Sequence, residues 1–439
     1  MSGPQIPTLR GSDPSQETGG SVTGFKRTDI VTFLKQTEGQ SPPVFVGRTA
    51  ILNDLFIAGT DHAGLSKNTR ILQGAPGAGK SSILAEVLRI SLDHGQGDSP
   101  SARDTVPDPA ALHPWGEEAP RVLLLSAAHL NDSMPQVVTR VQLALGLTEQ
   151  SWRERVASTL KRVTPAVGTG GLAFSLLPKE VAPAPATLSD LQTRITGVER
   201  PPKVIVAIDE AQNLPSGRHT PQATFLQTLH EGASPFPLTL VLAGLGDTVA
   251  RASEMGLTRP AAIHSVGALT ADEVADLAIA FCQRFGMDHA PVRKRLDTLV
   301  KACHGWPRHL HLALAALAEE ALATDGDLTR IDWDAAQTRT EESRLVYYRR
   351  QRSEAMKDAA SLTAAVLEGI RPPHGQSRAA VLASLRLALE DGETLPEDMT
   401  AKDFLTHLVH RGALQEGEDE QFRCPIPSFR TYLLEAGSR

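Results

Sequence analysis

Residues 74 to 81 read Gly-Ala-Pro-Gly-Ala-Gly-Lys-Ser, and no other stretch constrains this chain as tightly. The spacing fits G-x-x-x-x-G-K-[ST], a turn whose backbone N–H groups wrap the phosphates of a nucleoside triphosphate. The chemistry dictates the residue types. Glycines let the backbone turn with positive φ and approach phosphate oxygens with no Cβ in the way. Lys80 supplies a point charge for the β- and γ-phosphates, and the Ser81 hydroxyl is placed to bind Mg²⁺. The candidate cradle is Gly74, Ala75, Pro76, Gly77, Ala78, Gly79, Lys80, Ser81 and Ser82.

The flanks have the required order. Thr69-Arg70-Ile71-Leu72-Gln73 suits a short strand, and Ile83, Leu84, Val87, Leu88 and Ile90 recur at helical spacing after the turn. A helix beginning there adds the positive end of its dipole to phosphate binding.

Composition narrows the setting. At 439 residues there is room for two or three domains, and 41% hydrophobic with 22% charged residues is the balance of a soluble globular protein. A net charge of −7 gives no global basic footprint for nucleic acid, so any such contact needs a local patch. Cys282, Cys303 and Cys424 are scattered, without C-x-x-C spacing, which argues for a reducing compartment and against disulfides or zinc. No apolar run approaches membrane-spanning length and the N-terminus lacks a signal-peptide core. The expectation is a cytoplasmic protein with no membrane partner.

Along the chain, 1–24 read as a disordered tail. An α/β core is expected over 25–265, with loop insertions near 95–120 and 164–187. Inside the second insertion, Leu172 to Leu177 form an apolar piece that is either a strand or a mobile element. Buried-strand runs follow at Arg121 to Ser126, Val204 to Ile208 and Leu238 to Ala243, the pattern of a parallel sheet covered on both faces. From Leu269 the periodicity turns helical. Thr270-x-x-Glu273 is a capping box, followed by the faces Val274/Leu277/Phe281, Val292/Leu296/Leu299 and Leu310/Leu314/Leu317.

Asp209 and Glu210 stand where the strongest strand ends. One carboxylate there can hold the Mg²⁺ shell, and the next can orient and deprotonate an attacking water. Two acids after a strand are common on a surface. Downstream of a phosphate loop, which calls for such a strand end, they become a specific signal.

At this point the chain resembles the AAA+ ATPases, in the branch near initiator (origin-recognition-like) and STAND-type ATPases. Gly74–Ser81 and Asp209-Glu210 resemble the Walker A and Walker B motifs. Pro43-Val44-Phe45-Val46-Gly47-Arg48 looks like the element that lies near the adenine, carried here by Gly47 and Arg48. Gly305-Trp306-Pro307-Arg308 looks like sensor 2, whose arginine reaches from a helical lid to the γ-phosphate. The resemblance implies a P-loop core, a helical lid over 266–335, and a helical linker with a winged-helix-like domain over 336–439. It implies ATP with Mg²⁺, the metal held by Ser81 and Asp209, catalysis by Lys80, Glu210 and Arg308, and homo-oligomer formation on ATP binding. Arg259 is the first choice for an arginine finger acting on a neighbouring subunit's nucleotide, with Arg251 second. Arg308 also suits the plain start of a helix whose Leu310/Leu314/Leu317 face is core, and Arg259 also suits a solvated loop. The sensor 1 position departs from the pattern, offering only Asp247 or Thr248.

Near the C-terminus, Phe404, Leu405, Leu408 and Val409 form a helical face, followed by a hairpin pattern around an acidic turn, 416–420. That turn would be repelled by phosphates, which favours a protein partner for this domain. Arg344 to Arg352, with Tyr347 and Tyr348, is the basic aromatic stretch that keeps DNA open as a partner, although such a helix more often packs its tyrosines inside and solvates its arginines. Three readings result: an ATP hydrolase driving conformational change or assembly, a slowly cycling STAND-like switch, and a non-catalytic nucleotide-stabilised scaffold.

Overall fold

Three continuous apolar runs with no polar face can be buried only between two layers of helices, and that is how they lie. The computed structural model describes residues 24–35, 43–60, 69–93, 120–132, 134–144, 204–231, 238–371, 374–417 and 421–437. The expected tail up to residue 23, most of both expected insertions, the 172–177 piece and the acidic tip 418–420 fall outside these residues.

Strands β1 (Thr69–Gln73), β2 (Arg121–Ser126), β3 (Val204–Asp209), β4 (Leu238–Gly244) and β5 (Ala262–Ser265) form one sheet in the order β2-β3-β4-β1-β5. Every pairing is parallel. β4 therefore separates the strand that leads into the phosphate loop from the strand that ends in Asp209. The edge strand β5 is only half buried and carries no apolar run, so periodicity does not reveal it.

Alternate residues of each strand enter opposite cores. Leu72, Ile205, Ala207, Val241 and Ala243 pack with α2 (Thr49–Thr60) and α3 (Lys80–Asp93). Ile71, Val204, Val206, Ile208, Leu240 and Leu242 face the other layer. That layer contains α4 (Ala127–Asp132), α5 (Met134–Ala144), α6 (Pro221–Glu231) and α7 (Thr248–Glu254).

A third core belongs to the helices after the sheet, α8 (Ala271–Arg284), α9 (Arg293–Lys301) and α10 (Pro307–Ala323). The Thr270/Glu273 capping box forms as its spacing requires. Although α1 (Arg27–Leu34) precedes the sheet in the chain, Ile30 and Phe33 pack in this third core, with Phe33 edge-on to Phe281 at 5.2 Å.

The remaining elements are α11 (Trp333–Gln351), α12 (Glu354–Asp358), α13 (Ala360–Glu368), β6 (Gln376–Ser377), α14 (Arg378–Glu390), α15 (Ala401–His410), β7 (Gln415–Glu416), β8 (Gln421–Arg423) and α16 (Pro427–Gly437). The short strands pair antiparallel in the order β6-β8-β7, a winged-helix-like arrangement with β7 and β8 flanking the acidic turn. Its core is not separate. Phe404, Leu408, Phe422 and Phe429 belong to the same apolar cluster as Leu72, Ile83 and Val241 of the sheet layer, a cluster that also holds Trp306, Tyr347 and Tyr348. Among the described residues no helix is long and apolar enough to cross a membrane.

Phe404 is fully buried in that shared core. Phe404→Ala is expected to destabilise the protein by about 3–5 kcal/mol, read as a fall in the chemical-denaturation midpoint.

Candidate active site

The phosphate loop leaves β1 after Gln73 and enters α3 at Lys80. Gly77 has φ 79°, a left-handed conformation that a side chain at this turn would strain. The Lys80 ammonium is folded back into the loop, where Nζ donates to Gly74 O at 2.8 Å and Ala75 O at 3.1 Å. Burial pulls its pKa down to about 8, against the opposing pull of the Asp209 carboxylate. The loop is thus closed around its own lysine, and an anion entering it replaces two weak carbonyl acceptors with full charge.

Opposite the lysine, Ser81 Oγ donates to Asp209 Oδ2 at 2.5 Å, and the Glu210 N–H donates to Asp209 Oδ1 at 2.9 Å. A hydroxyl from the first turn of α3 and a carboxylate from the end of β3 form a hard-oxygen pair. Such a pair fits Mg²⁺, which takes few protein ligands and fills its shell with phosphate and water. Glu210 follows in a left-handed conformation, φ 56°, at the head of the 3-10 turn Ala211–Asn213. For a non-glycine residue this backbone is strained, of a kind that gathers at functional sites. Burial first, then the neighbouring Asp209 charge, push the Glu210 carboxyl up, while a hydrogen bond with the Asn213 side chain holds it down.

In the loop after β4, Asp247 and Thr248, the two candidates for positioning water, both have protein partners. His410 Nε2 lies 2.7 Å from Asp247 Oδ2, and the Thr248 hydroxyl donates to Leu245 O at 2.6 Å. Both sequence candidates are turned to other partners. Gln212, which the sequence did not single out, accepts from Leu245 N at 3.3 Å and ties this loop to the Asp209-Glu210 turn.

The helical lid meets the phosphate loop end-on. Arg308 donates its backbone N–H to Gly77 O at 3.2 Å, which sets the first turn of α10 against the loop. Trp306, just before that turn, is buried with its indole Nε1 unpartnered. Leaving such a donor without an acceptor costs about 1–3 kcal/mol. Gly47 and Arg48 sit between the lid and the segment that follows the edge strand β5. Arg48 N donates to Glu273 Oε1 at 3.1 Å, and the Arg48 guanidinium donates to Gly267 O. Of the two finger candidates, Arg251 bonds to Ser216 and lies 4.0 Å from Asp247, whereas Arg259 is exposed on the turn before β5 with φ 59°.

The C-terminal domain also reaches the loop. Tyr347 Oη donates to Pro76 O at 3.0 Å. Gly412, with φ 75°, packs so closely that a Cβ there would stand 2.7 Å from Pro76 Cδ. Val409 packs just as tightly on Gly246, where a Cβ would come 2.8 Å from Val409 Cγ1. The basic aromatic stretch therefore does not offer its rings to bases. Tyr347 and Tyr348 are buried, Tyr348 stacks on Phe429 at 5.2 Å, and its hydroxyl is 2.6 Å from Ser428 Oγ.

No family model and no curated protein matches the sequence. Solved structures do. The Walker-type ATPase of Pyrococcus abyssi aligns with a TM-score of 0.50 at 16% identity, over 91% of this chain and 99% of that one. The ORC2 protein of Aeropyrum pernix, in its ADP form, gives 0.51 at 13% identity, over 95% of this chain and 99% of the other. At such identities the shared property is the fold. The chain shares with these proteins a P-loop-type α/β fold, a parallel core followed by a helical lid and a winged-helix-like region.

The lowered Lys80 pKa has a measurable consequence. Without ligand, the folded protein holds this proton less tightly than the unfolded chain does, whose lysine stays near 10.5. This group therefore adds stability as pH rises from about 8 towards 10.5. Phosphates in the loop pull the other way and raise the pKa. ATP binding near pH 8.5 is expected to take up roughly half a proton or more, and affinity to fall as pH climbs further. Calorimetry in two buffers of different ionisation enthalpy checks this, with Lys80→Arg expected to bind without proton uptake.

Proposed function

We propose that this chain is a Mg²⁺-dependent ATP hydrolase of the AAA+ type, acting in the cytoplasm, whose nucleotide state sets the position of its lid and C-terminal domain. The observation that carries this reading is convergence on one loop. The Asp209 carboxylate, the start of α10 and the turn after α15 all bear on Gly74–Ser81. Lys80 would leave Gly74 O and Ala75 O for the β- and γ-phosphates. Ser81 and Asp209 would hold Mg²⁺, which would offset phosphate charge. Glu210, kept in place by Asn213, would take the proton of the attacking water. Arg308 would place a positive charge on the γ-phosphate from the lid, and Gly47-Arg48 would border the base.

Arg259 is the residue proposed to reach a neighbouring subunit's nucleotide, because it is exposed and Arg251 is committed to Ser216 and Asp247. ATP would then favour a homo-oligomer. For the C-terminal domain a protein partner is the favoured reading. Its wing is acidic, and Glu416 is already paired with Arg378 at 3.2 Å. DNA contact through exposed Arg349 and Arg350 is the alternative, without help from the buried tyrosines. The packing of the C-terminal domain on the phosphate loop also favours a slow, STAND-like cycle over rapid turnover.

Glu210→Gln is expected to lower turnover by about 10²–10⁴-fold while sparing ATP binding, and to accumulate the ATP-dependent assembly in light scattering after size exclusion. Equal, slow hydrolysis by both proteins would leave the scaffold reading standing. Gly412→Val forces a β-branched side chain into left-handed backbone and into Pro76. Its expected result is a C-terminal domain cleaved faster in limited proteolysis without nucleotide. An unchanged digest would show that this contact does not hold the domain.

A further inference from the structure

Trp306 lies immediately before the first turn of α10, and is almost wholly buried at 2% exposure. Its Nε1 has no hydrogen-bond partner. Native proteins keep few such groups, and each calls for an explanation. The direction of this donor suggests one. A Cβ built on Gly77 would stand 3.1 Å from Trp306 Nε1 and 3.2 Å from Tyr347 Oη, so both groups point at the crest of the phosphate loop. Tyr347 has its acceptor there, Pro76 O. Trp306 does not.

The helix behind it strengthens the case. α10 runs for 17 residues, begins with Pro307 and has no side-chain cap. Its positive end abuts the loop, with Pro307 Cβ 3.7 Å from where a Cβ on Gly79 would be. A phosphate oxygen is an acceptor, and an indole N–H is a donor and nothing else. The two are complementary, and the neutral indole gives direction without adding another cation.

We propose that Trp306 is a phosphate-binding residue of this site, its Nε1–H donating to the phosphate chain of the bound nucleotide at the positive end of α10. The lid then reads phosphate through two side chains of different character, the Trp306 indole and the Arg308 guanidinium. This rests on the ATP-site reading above.

The test uses the full chain labelled with ¹⁵N-tryptophan, with ADP and with Mg²⁺ and a slowly hydrolysed ATP analogue as probes. The chain has 4 tryptophans, and the resonance missing in Trp306→Phe assigns the one of interest. A downfield move of the Trp306 indole N–H on nucleotide addition is expected, and in Trp306→Phe a loss of affinity of about 10- to 100-fold. Loss for both nucleotides places the bond on the shared phosphates, and loss for the ATP analogue alone places it on the γ-phosphate; either supports the assignment. An unmoved resonance together with wild-type affinity in Trp306→Phe overturns it while leaving the ATP site intact. If the wild type binds no nucleotide, the ATP reading itself fails and this one with it. Should Trp306→Phe not fold, the wild-type resonances, matched to ligand-dependent shifts in the other tryptophan variants, decide alone.

Discussion

A single buried ammonium organises this molecule. Lys80 has to be held at the end of β1, away from water, with acceptors weak enough to be displaced, and two backbone carbonyls of its own loop meet that requirement. Burial already weakens its hold on the proton. The surrounding elements can be understood as consequences. β4 spaces the loop from the Asp209 strand, so that Ser81 and Asp209 meet across it. The lid presents a helix start to the loop, and the C-terminal domain covers Pro76.

How far the sequence discloses this depends on distance along the chain. Gly74–Ser81 and Asp209-Glu210 stand out because a phosphate ligand would dictate residue types over a few consecutive positions. The strands β3 and β4 are legible because complete burial leaves an uninterrupted apolar run. Partners that meet across long separations leave no such trace. Tyr347 reaches Pro76 over 271 positions, and nothing local marks it as a loop contact. Gln212 and Asn213 look like polar residues after a strand until the turn Ala211–Asn213 aims them at Leu245 and Glu210. β5, with three half-buried residues and one exposed, offers too little pattern to be read.

The stretch Arg344 to Arg352 shows the limit most plainly. Its composition suits nucleic-acid contact, and composition alone cannot say which face of α11 another domain will cover. The covering surface comes from Phe429 and Tyr432 of α16, about 80 residues away. A helix buried by sequence-distant elements carries aromatic residues for packing and arginines for solvent, which from the sequence look like one patch.

The continuous core constrains how the C-terminal domain can move. Because Phe404 and Leu408 share a cluster with Leu72 and Val241, the C-terminal domain cannot swing on a loose tether; it must slide or detach across a packed surface. Packed surfaces are bistable, with discrete alternatives separated by lost burial. Coupling through such a surface is reciprocal by thermodynamic necessity. If phosphate at Gly77 favours one docking of the domain, then whatever captures the domain must change phosphate affinity by the same factor. A partner that captured the domain would then be an effector of the proposed nucleotide site as much as its target, and the turn at Gly412, packed on Pro76, is the contact through which the two would meet.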